Sequence, residues 1–391
     1  MFIQSVSIEG FRSLAHVKIG KLGKLNVLYG ENNAGKSNVI AALEMLFRVE
    51  RVEEQESRVG RFIRGELSDF VDNFTIGKDG KRGKNVKIVA KLGFDDTDLS
   101  RMPKFDTLLK TYGIYKKGHT QWITIETEVE STGPGKATKT VRSANVNNKP
   151  LYDYGGSDKF LPGSAAAAEE RQAAVEEVFS YLINSFALIH AERFLREEKQ
   201  ADNVISTLSV DRIKQWLLAQ SQSRGTKYEV FEEIVKRVNA APFQFGVVRP
   251  FVEAGKLGLL VTDGDGRELM IERVGTGVQQ IILLISHIVS LDAKLIAIEE
   301  VELNLSPSLQ YRLLELFKKL VGQGNDKAIN QLFLTSHSQH LSTRHDVCLY
   351  AVEKNAAGET DVKWGPSAVS SLRSHFDYGL FRLPGKKIWR S

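Results

Sequence analysis

The sequence predicts an α/β fold: a mixed sheet with flanking helices, an antiparallel β subdomain and an inserted helical subdomain. Three observations carry the prediction. A short β-prone run, Leu25-Asn26-Val27-Leu28-Tyr29, passes through a glycine-rich turn into a segment with helical spacing, Ser37 to Phe47. Far downstream, Lys294 to Ile298 and Gln331 to Thr335 are apolar runs of strand length that end in polar residues, the pattern of buried strands. Between these ends, residues 165 to 241 are dominated by Ala, Glu, Arg, Gln and Leu, with Val175, Val178, Phe179, Leu182, Ile183 and Phe186 spaced for one helical face.

Taken in order, Phe2 to Phe11 alternates apolar and polar residues as a half-buried strand does, and Val17 to Ile19 continues the sheet. The stretch from Arg48 to Asn85 is polar and basic and reads as a surface insertion with some helix. Val86 to Phe94 returns to strand, and Thr120 to Val129 and Val141 to Val146 add strands broken by Gly133-Pro134-Gly135. The four alanines Ala165 to Ala168 fit a helix better than a linker. Leu257 to Val261 and Glu268 to Glu272 flank Asp263-Gly264-Asp265-Gly266, a hairpin turn that lacks the further acidic positions of a calcium loop. The division that follows is residues 1–95 as a first lobe, 96–245 as accessory strands and helical insertion, and 246–391 as a second lobe.

With 391 residues, 42% of them hydrophobic and 26% charged, the chain can bury a substantial core. No stretch reaches the length of uncharged apolar sequence that crosses a bilayer, and no basic segment precedes an apolar one at the N-terminus. A cytoplasmic location without membrane association is therefore expected. Cys348, the one cysteine, has no partner thiol for a disulfide or zinc site and reads as a small buried residue in a strand. A formal charge of +5 suits a polyanionic partner and a nucleotide pocket alike.

Gly30-Glu31-Asn32-Asn33-Ala34-Gly35-Lys36-Ser37 satisfies the phosphate-loop pattern, with a strand before it and a helix after it. The glycines let successive N–H groups and the helix N-terminus point at phosphates. Lys36 is expected to reach the β- and γ-phosphates and Ser37 to ligate magnesium.

The apolar run ending at Ile298 closes with Glu299-Glu300, and two carboxylates there are costly unless they face a metal or polarise a water. Glu299 is assigned to the magnesium shell and Glu300 to the attacking water as general base. His337, at the end of the run from Gln331, can sense a γ-phosphate. With His340 and His345 nearby but no clustered Cys or Asp, the pattern argues against a metal site there. Gly275-Thr276-Gly277 opens an apolar helix running to about Leu291, which is either a second anion-binding helix end or an ordinary cap. Arg193 is either a phosphate or partner contact or one half of a surface ion pair.

These elements, in this order, resemble the ABC-type ATPases of the OLD (overcoming lysogenization defect), RecF and SMC group, AAA family ATPases with a P-loop NTPase head. Ile8-Glu9-Gly10-Phe11-Arg12-Ser13-Leu14 looks like that group's first strand. The resemblance covers roughly residues 1 to 95 and 245 to 350. It implies a Walker A motif at Gly30 to Ser37, with Gly30, Asn32, Asn33, Ala34, Gly35, Lys36, Ser37 and Asn38 around ATP. It further implies a signature at Gly275 to Gln280, with Gly275, Thr276 and Gly277 on the nucleotide, a Walker B strand ending at Glu299 and Glu300, and His337 as switch histidine. Lys36, Glu300 and His337 become the catalytic set, and Ser37 and Glu299 the Mg2+ ligands.

Glu299 stands where the group usually has Asp, Thr276 lies in a Gly-Thr-Gly rather than a Ser-Gly signature, and the glutamine of the Q-loop has no counterpart. About fifty residues follow His337, with no acidic set for the Toprim nuclease that many OLD-like proteins carry. The resemblance thus implies a head-to-tail dimer or higher oligomer enclosing ATP, slow hydrolysis, and a separate effector such as a nuclease, as in bacterial anti-phage systems. The alternative is a RecF- or SMC-like clamp in DNA repair, motivated by the basic residues between Arg48 and Lys91. A transporter subunit is disfavoured by the large insertion and the lack of membrane-coupling features.

Overall fold

The computed structural model describes residues 1–47, 51–52, 64–67, 85–133, 136–153, 165–183, 185–190, 210–223, 226–238, 247–253, 256–262, 265–291, 293–321, 329–342 and 347–365. Arg193, His345, Asp263, Gly264 and most of the basic stretch lie outside the described residues. Of that stretch, Lys87 pairs with Glu126 at 2.7 Å and Lys91 stands over the Trp122 ring.

In chain order the elements are β1 (Phe2–Phe11), β2 (Leu14–Ile19), β3 (Leu25–Tyr29), α1 (Lys36–Phe47), β4 (Arg51–Val52), β5 (Arg64–Leu67) and β6 (Asn85–Phe94). There follow α2 (Asp96–Ser100), α3 (Pro103–Thr111), β7 (Gln121–Gly133), β8 (Lys136–Val146), β9 (Lys149–Asp153), α4 (Ala165–Ile183) and β10 (Phe186–Ile189). Next come α5 (Val210–Ser223), α6 (Thr226–Val238), β11 (Val248–Glu253), β12 (Lys256–Thr262), β13 (Glu268–Met270) and α7 (Thr276–Ser290). The chain continues through β14 (Leu295–Ile298), α8 (Pro307–Leu320), β15 (Gln331–Ser336), α9 (Gln339–Ser342), β16 (Cys348–Lys354) and β17 (Thr360–Trp364).

A central sheet in the order β10-β14-β15-β3-β16-β17 is parallel except for β17. All five residues of β3, all four of β14 and all six of β15 are buried, as strands covered on both faces require. Side-chain alternation sorts each strand between two cores. Leu28, Leu295, Ala297 and Phe333 join α1, α3 and α4 and the antiparallel sheet on one side. Val27, Ile296, Ile298, Leu332 and Leu334 join α5 to α8 and the β11-β12-β13 sheet on the other.

The larger antiparallel sheet runs β2-β1-β6-β7-β8-β5-β4 with β9 against β8, so strands on either side of residue 95 share one sheet. Two long strands, β7 and β8, pair antiparallel as far as Gly133 and Lys136. Gln331 stitches the two sheets together, accepting from the Ile3 N–H at 2.8 Å and donating to the Ile3 carbonyl at 2.9 Å. Among the described residues no helix is long and apolar enough to cross a membrane.

Three local expectations change. Phe186 does not extend the helical face of α4, which ends at Ile183; Phe186 to Ile189 instead pair in parallel with Leu295 to Ile298, because a place beside β14 outweighs helical spacing. Ile271 to Arg273 form a 3-10 turn, so the strand expected through Glu272 ends at Met270. The sequence reading also lacks α2, whose capping box pairs the Asp95 carboxylate with the Asp98 N–H.

Lys139 of β8 is buried and donates to the Leu46 carbonyl at the end of α1, 2.5 Å away. Burial lowers its pKa from 10.5 to about 7. The unfolded chain holds that proton up to its ordinary pKa while the folded chain releases it near neutrality, so stability rises with pH between the two values. Urea unfolding of the wild type relative to Lys139→Met should show that rise across pH 7 to 10, at a slope of up to about 1.4 kcal/mol per pH unit. A difference that stays flat with pH would mean that Lys139 remains charged in the fold.

Candidate functional site

Parallel order places the carboxyl ends of β3, β10, β14 and β15 along one edge, where α/β sheets bind ligands. The phosphate loop, Glu299, Glu300 and His337 leave the sheet there.

Residues 30 to 35 turn from β3 into α1, which begins at Lys36. Close approach accounts for both glycines. A Cβ on Gly30 would lie 2.2 Å from the Val352 carbonyl oxygen, and one on Gly35, at φ +110°, would lie 2.1 Å from Thr360 Oγ1. Asn33 takes a left-handed conformation at φ 64°, and Asn32 and Asn33 are exposed at the crown of the loop. Thr360 Oγ1 donates to the Ala34 carbonyl at 2.9 Å and lies 2.7 Å from Ser13 Oγ. The β16–β17 hairpin is thus a template beneath the loop.

Lys36 is buried and its Nζ donates to the Gly30 and Glu31 carbonyls, each at 2.8 Å. Burial lowers the ammonium pKa, opposed by the charges of Glu302, Glu300 and Glu31. An anion entering the loop gives this cation a stronger partner than carbonyl oxygens.

At the end of β14, Glu299 is hydrogen-bonded by the Ser37 hydroxyl and by His190 Nδ1 at 3.0 Å. Burial raises its pKa, but those bonds and the charges of His190 and Arg12 outweigh burial and leave it below the ordinary carboxylate value. An ionised carboxylate beside a hydroxyl at the mouth of the phosphate loop is an oxygen donor set that fits a hard divalent cation. When bound, such a cation would neutralise charge on the phosphates.

Glu300 follows in a left-handed conformation, φ 42°, with its N–H donating to Thr335 Oγ1 at 2.9 Å. A non-glycine residue held there is strained, and strain of this kind collects at functional sites. His337, just after β15, is exposed, and its backbone N–H donates to Glu302 Oε1 at 2.6 Å.

Lys36, Ser37, Glu299, Glu300 and His337 are therefore brought to one edge. Asn38 is near it, but its side chain is engaged within the chain: Nδ2 donates to Ser13 Oγ at 2.8 Å and Oδ1 accepts from Arg12 Nη1 at 3.2 Å. Gly275, Thr276 and Gly277 lie at the N-terminus of α7, where Gly277 approaches Leu309 and the Asn304 carbonyl of the loop after β14. Gly275 and Thr276 are exposed.

Sequence reasoning missed His190, Glu302, Thr335 and Thr360, and named Arg12 only within a strand motif. Glu302 could have been found as the third carboxylate after β14, following Glu299 and Glu300. His190 was hidden in a segment read as helical.

Comparison with known proteins now bears on this arrangement. A family model described as "AAA domain, putative AbiEii toxin, Type IV TA system" matches residues 25–343. The chain belongs to this AAA family. The match runs from the first residue of β3 past His337 and so takes in every element of the site edge. A 44-residue segment is 50% identical to an "ATP/GTP phosphatase" of Helicobacter pylori (strain ATCC 700392 / 26695), covering 11% of this chain and 12% of that protein.

Among solved structures, an SMC head bound to the C-terminal winged-helix domain of ScpA superposes with a TM-score of 0.55 at 14% identity, covering 95% of this chain and 100% of that one. The SMC head domain from Thermotoga maritima gives 0.49 at 13% identity, covering 93% and 99%. The first establishes an SMC-head-like P-loop NTPase fold. Fold and family agree that the chain is an AAA-type P-loop NTPase domain.

Proposed function

We propose that the chain binds ATP with Mg2+ between two copies of itself, hydrolyses it at Glu300, and thereby controls a separate effector protein in the bacterial cytoplasm, in defence against phage. In this reading Lys36 and the N–H groups of residues 30 to 38 hold the phosphates, Ser37 and Glu299 hold the cation, Glu300 activates the water and His337 contacts the γ-phosphate.

The observation that carries the dimer is a second anion-binding helix end, that of α7, left open to solvent. The N-terminus of α1 lies on the site edge with Lys36 and Glu299, whereas that of α7 presents Gly275 and Thr276 to solvent, with α7 packed on α5 and α6. A second copy in head-to-tail arrangement supplies the exposed Thr276 to the phosphate loop of the first, completing two equivalent sites. The effector role rests on the resemblance to two-component defence ATPases.

Mixing two inactive variants tests this directly. Lys36→Ala removes the phosphate lysine and Thr276→Arg blocks the signature, so each is expected to be inactive alone. In a mixed dimer one site keeps both wild-type halves, and an equal mixture should recover about a quarter of wild-type turnover if dimers assort at random. ATP should also double the native mass from 43.7 kDa. Absence of both recovery and mass doubling would refute the shared site.

A further inference from the structure

We infer that Glu302 is the positioning residue for His337, fixing which ring nitrogen meets the nucleotide. Glu302 is 94% buried on the 6% exposure of the residue, in the loop that follows β14. Its Oε1 takes two contacts from one residue, the His337 backbone N–H at 2.6 Å and ring Nδ1 at 3.1 Å. A carboxylate only accepts, so Nδ1 carries the proton in this contact. The ring therefore offers Nε2, and Nε2 alone, to whatever lies across the site edge. This is the arrangement in which a carboxylate holds an imidazole in one tautomer and orientation while its other nitrogen works.

The loop around Glu302 is built to hold this pose. Val301 N–H donates to the Thr335 carbonyl at 3.3 Å, Leu303 N–H to the Glu300 carbonyl at 3.0 Å and Leu305 N–H to the Glu302 carbonyl at 2.9 Å. Glu302 is thus fixed to β15 on one side and to the strained Glu300 on the other. Its Oε2 is buried without a hydrogen-bond partner, and among the carboxylates whose charge reaches Lys36 it is the strongest. A buried carboxylate left half-satisfied costs stability. The oxygen that is satisfied, Oε1, is the one that holds His337.

This inference rests on the ATPase reading for its catalytic consequence, but the tautomer does not. The first measurement is the 15N spectrum of histidine-labelled, nucleotide-free protein at pH above 8, with the His337 signals assigned from a His337→Asn variant. The expected result is a His337 ring protonated at Nδ1, reverting to the Nε2-protonated form in Glu302→Ala. A wild-type ring protonated at Nε2 overturns the inference whatever the protein does with ATP.

The second measurement is turnover. Glu302→Ala should lower kcat about tenfold, as loss of an orienting partner does, with KM for ATP changed by less than about threefold. Glu302→Asp should recover part of the loss. Introduced into His337→Asn, Glu302→Ala should have no further effect, because it acts through the histidine. Additive losses, or a matching loss of ATP affinity, would show a general structural role and reject the assignment. Absence of wild-type turnover with the Nδ1 tautomer present would instead reject the ATPase reading.

Discussion

Gly35→Ala is expected to abolish productive nucleotide binding while leaving a folded protein. At φ +110° an alanine is strained, and its Cβ would stand 2.1 Å from Thr360 Oγ1 and 2.9 Å from Thr360 Cγ2. Thr360 cannot withdraw. Its N–H donates to the Ser13 carbonyl at 2.8 Å, its hydroxyl holds the Ala34 carbonyl and Ser13, and it opens strand β17 against β16. The loop must move instead, and the N–H groups that converge on phosphate turn away. Strain and overlap together should cost about 2 to 4 kcal/mol of stability. ATP affinity should fall by about two orders of magnitude, since several hydrogen bonds to charged oxygens go at once. Nucleotide titration and urea unfolding on the same preparation separate the two effects. Gly275→Ala, where nothing lies within 4 Å of the added carbon, is the control for stability. Wild-type affinity in Gly35→Ala would mean that the loop does not grip the nucleotide in this conformation.

Glu300→Gln should separate binding from hydrolysis. Gln keeps the size of the side chain and the N–H bond to Thr335, so the left-handed backbone at φ 42° is retained. What disappears is the carboxylate proposed to take a proton from water. Loss of a general base typically costs 10² to 10⁴ in rate, and about that loss in kcat is expected, with ATP affinity within about threefold of wild type. Single-turnover phosphate release alongside nucleotide titration measures both. Hydrolysis within about threefold of wild type would shift the proton-accepting role to another group on the edge, Glu299 or His337.

Legibility of the site followed from where its residues sit relative to strand ends. Glu299, Glu300 and His337 follow directly on apolar runs whose length marks buried strands, Lys36 and Ser37 follow the glycine-rich turn after another, and parallel pairing then brings those strand ends together. The order of the strands was not readable, because β3 lies between β15 and β16, which come from the far end of the chain. Phe186 shows the complementary failure. Its spacing from Leu182 suits a helix, yet the four residues from Phe186 pack as a strand because β14 presents an unpaired edge there. That misreading concealed His190, whose contact with Glu299 depends on β10 lying beside β14. Thr360 was invisible for another reason: its function is to fill the space that Gly35 lacks, and no local pattern announces a partner 325 positions away.

Phosphate release from ATP by the purified wild-type chain in the presence of Mg2+ is the most direct test of the central claim, that the carboxyl ends of β3, β14 and β15 form one hydrolytic site. The account predicts measurable turnover that Glu300→Gln suppresses without loss of ATP binding. A wild-type chain that binds no nucleotide, or turnover that survives Glu300→Gln unchanged, would contradict it.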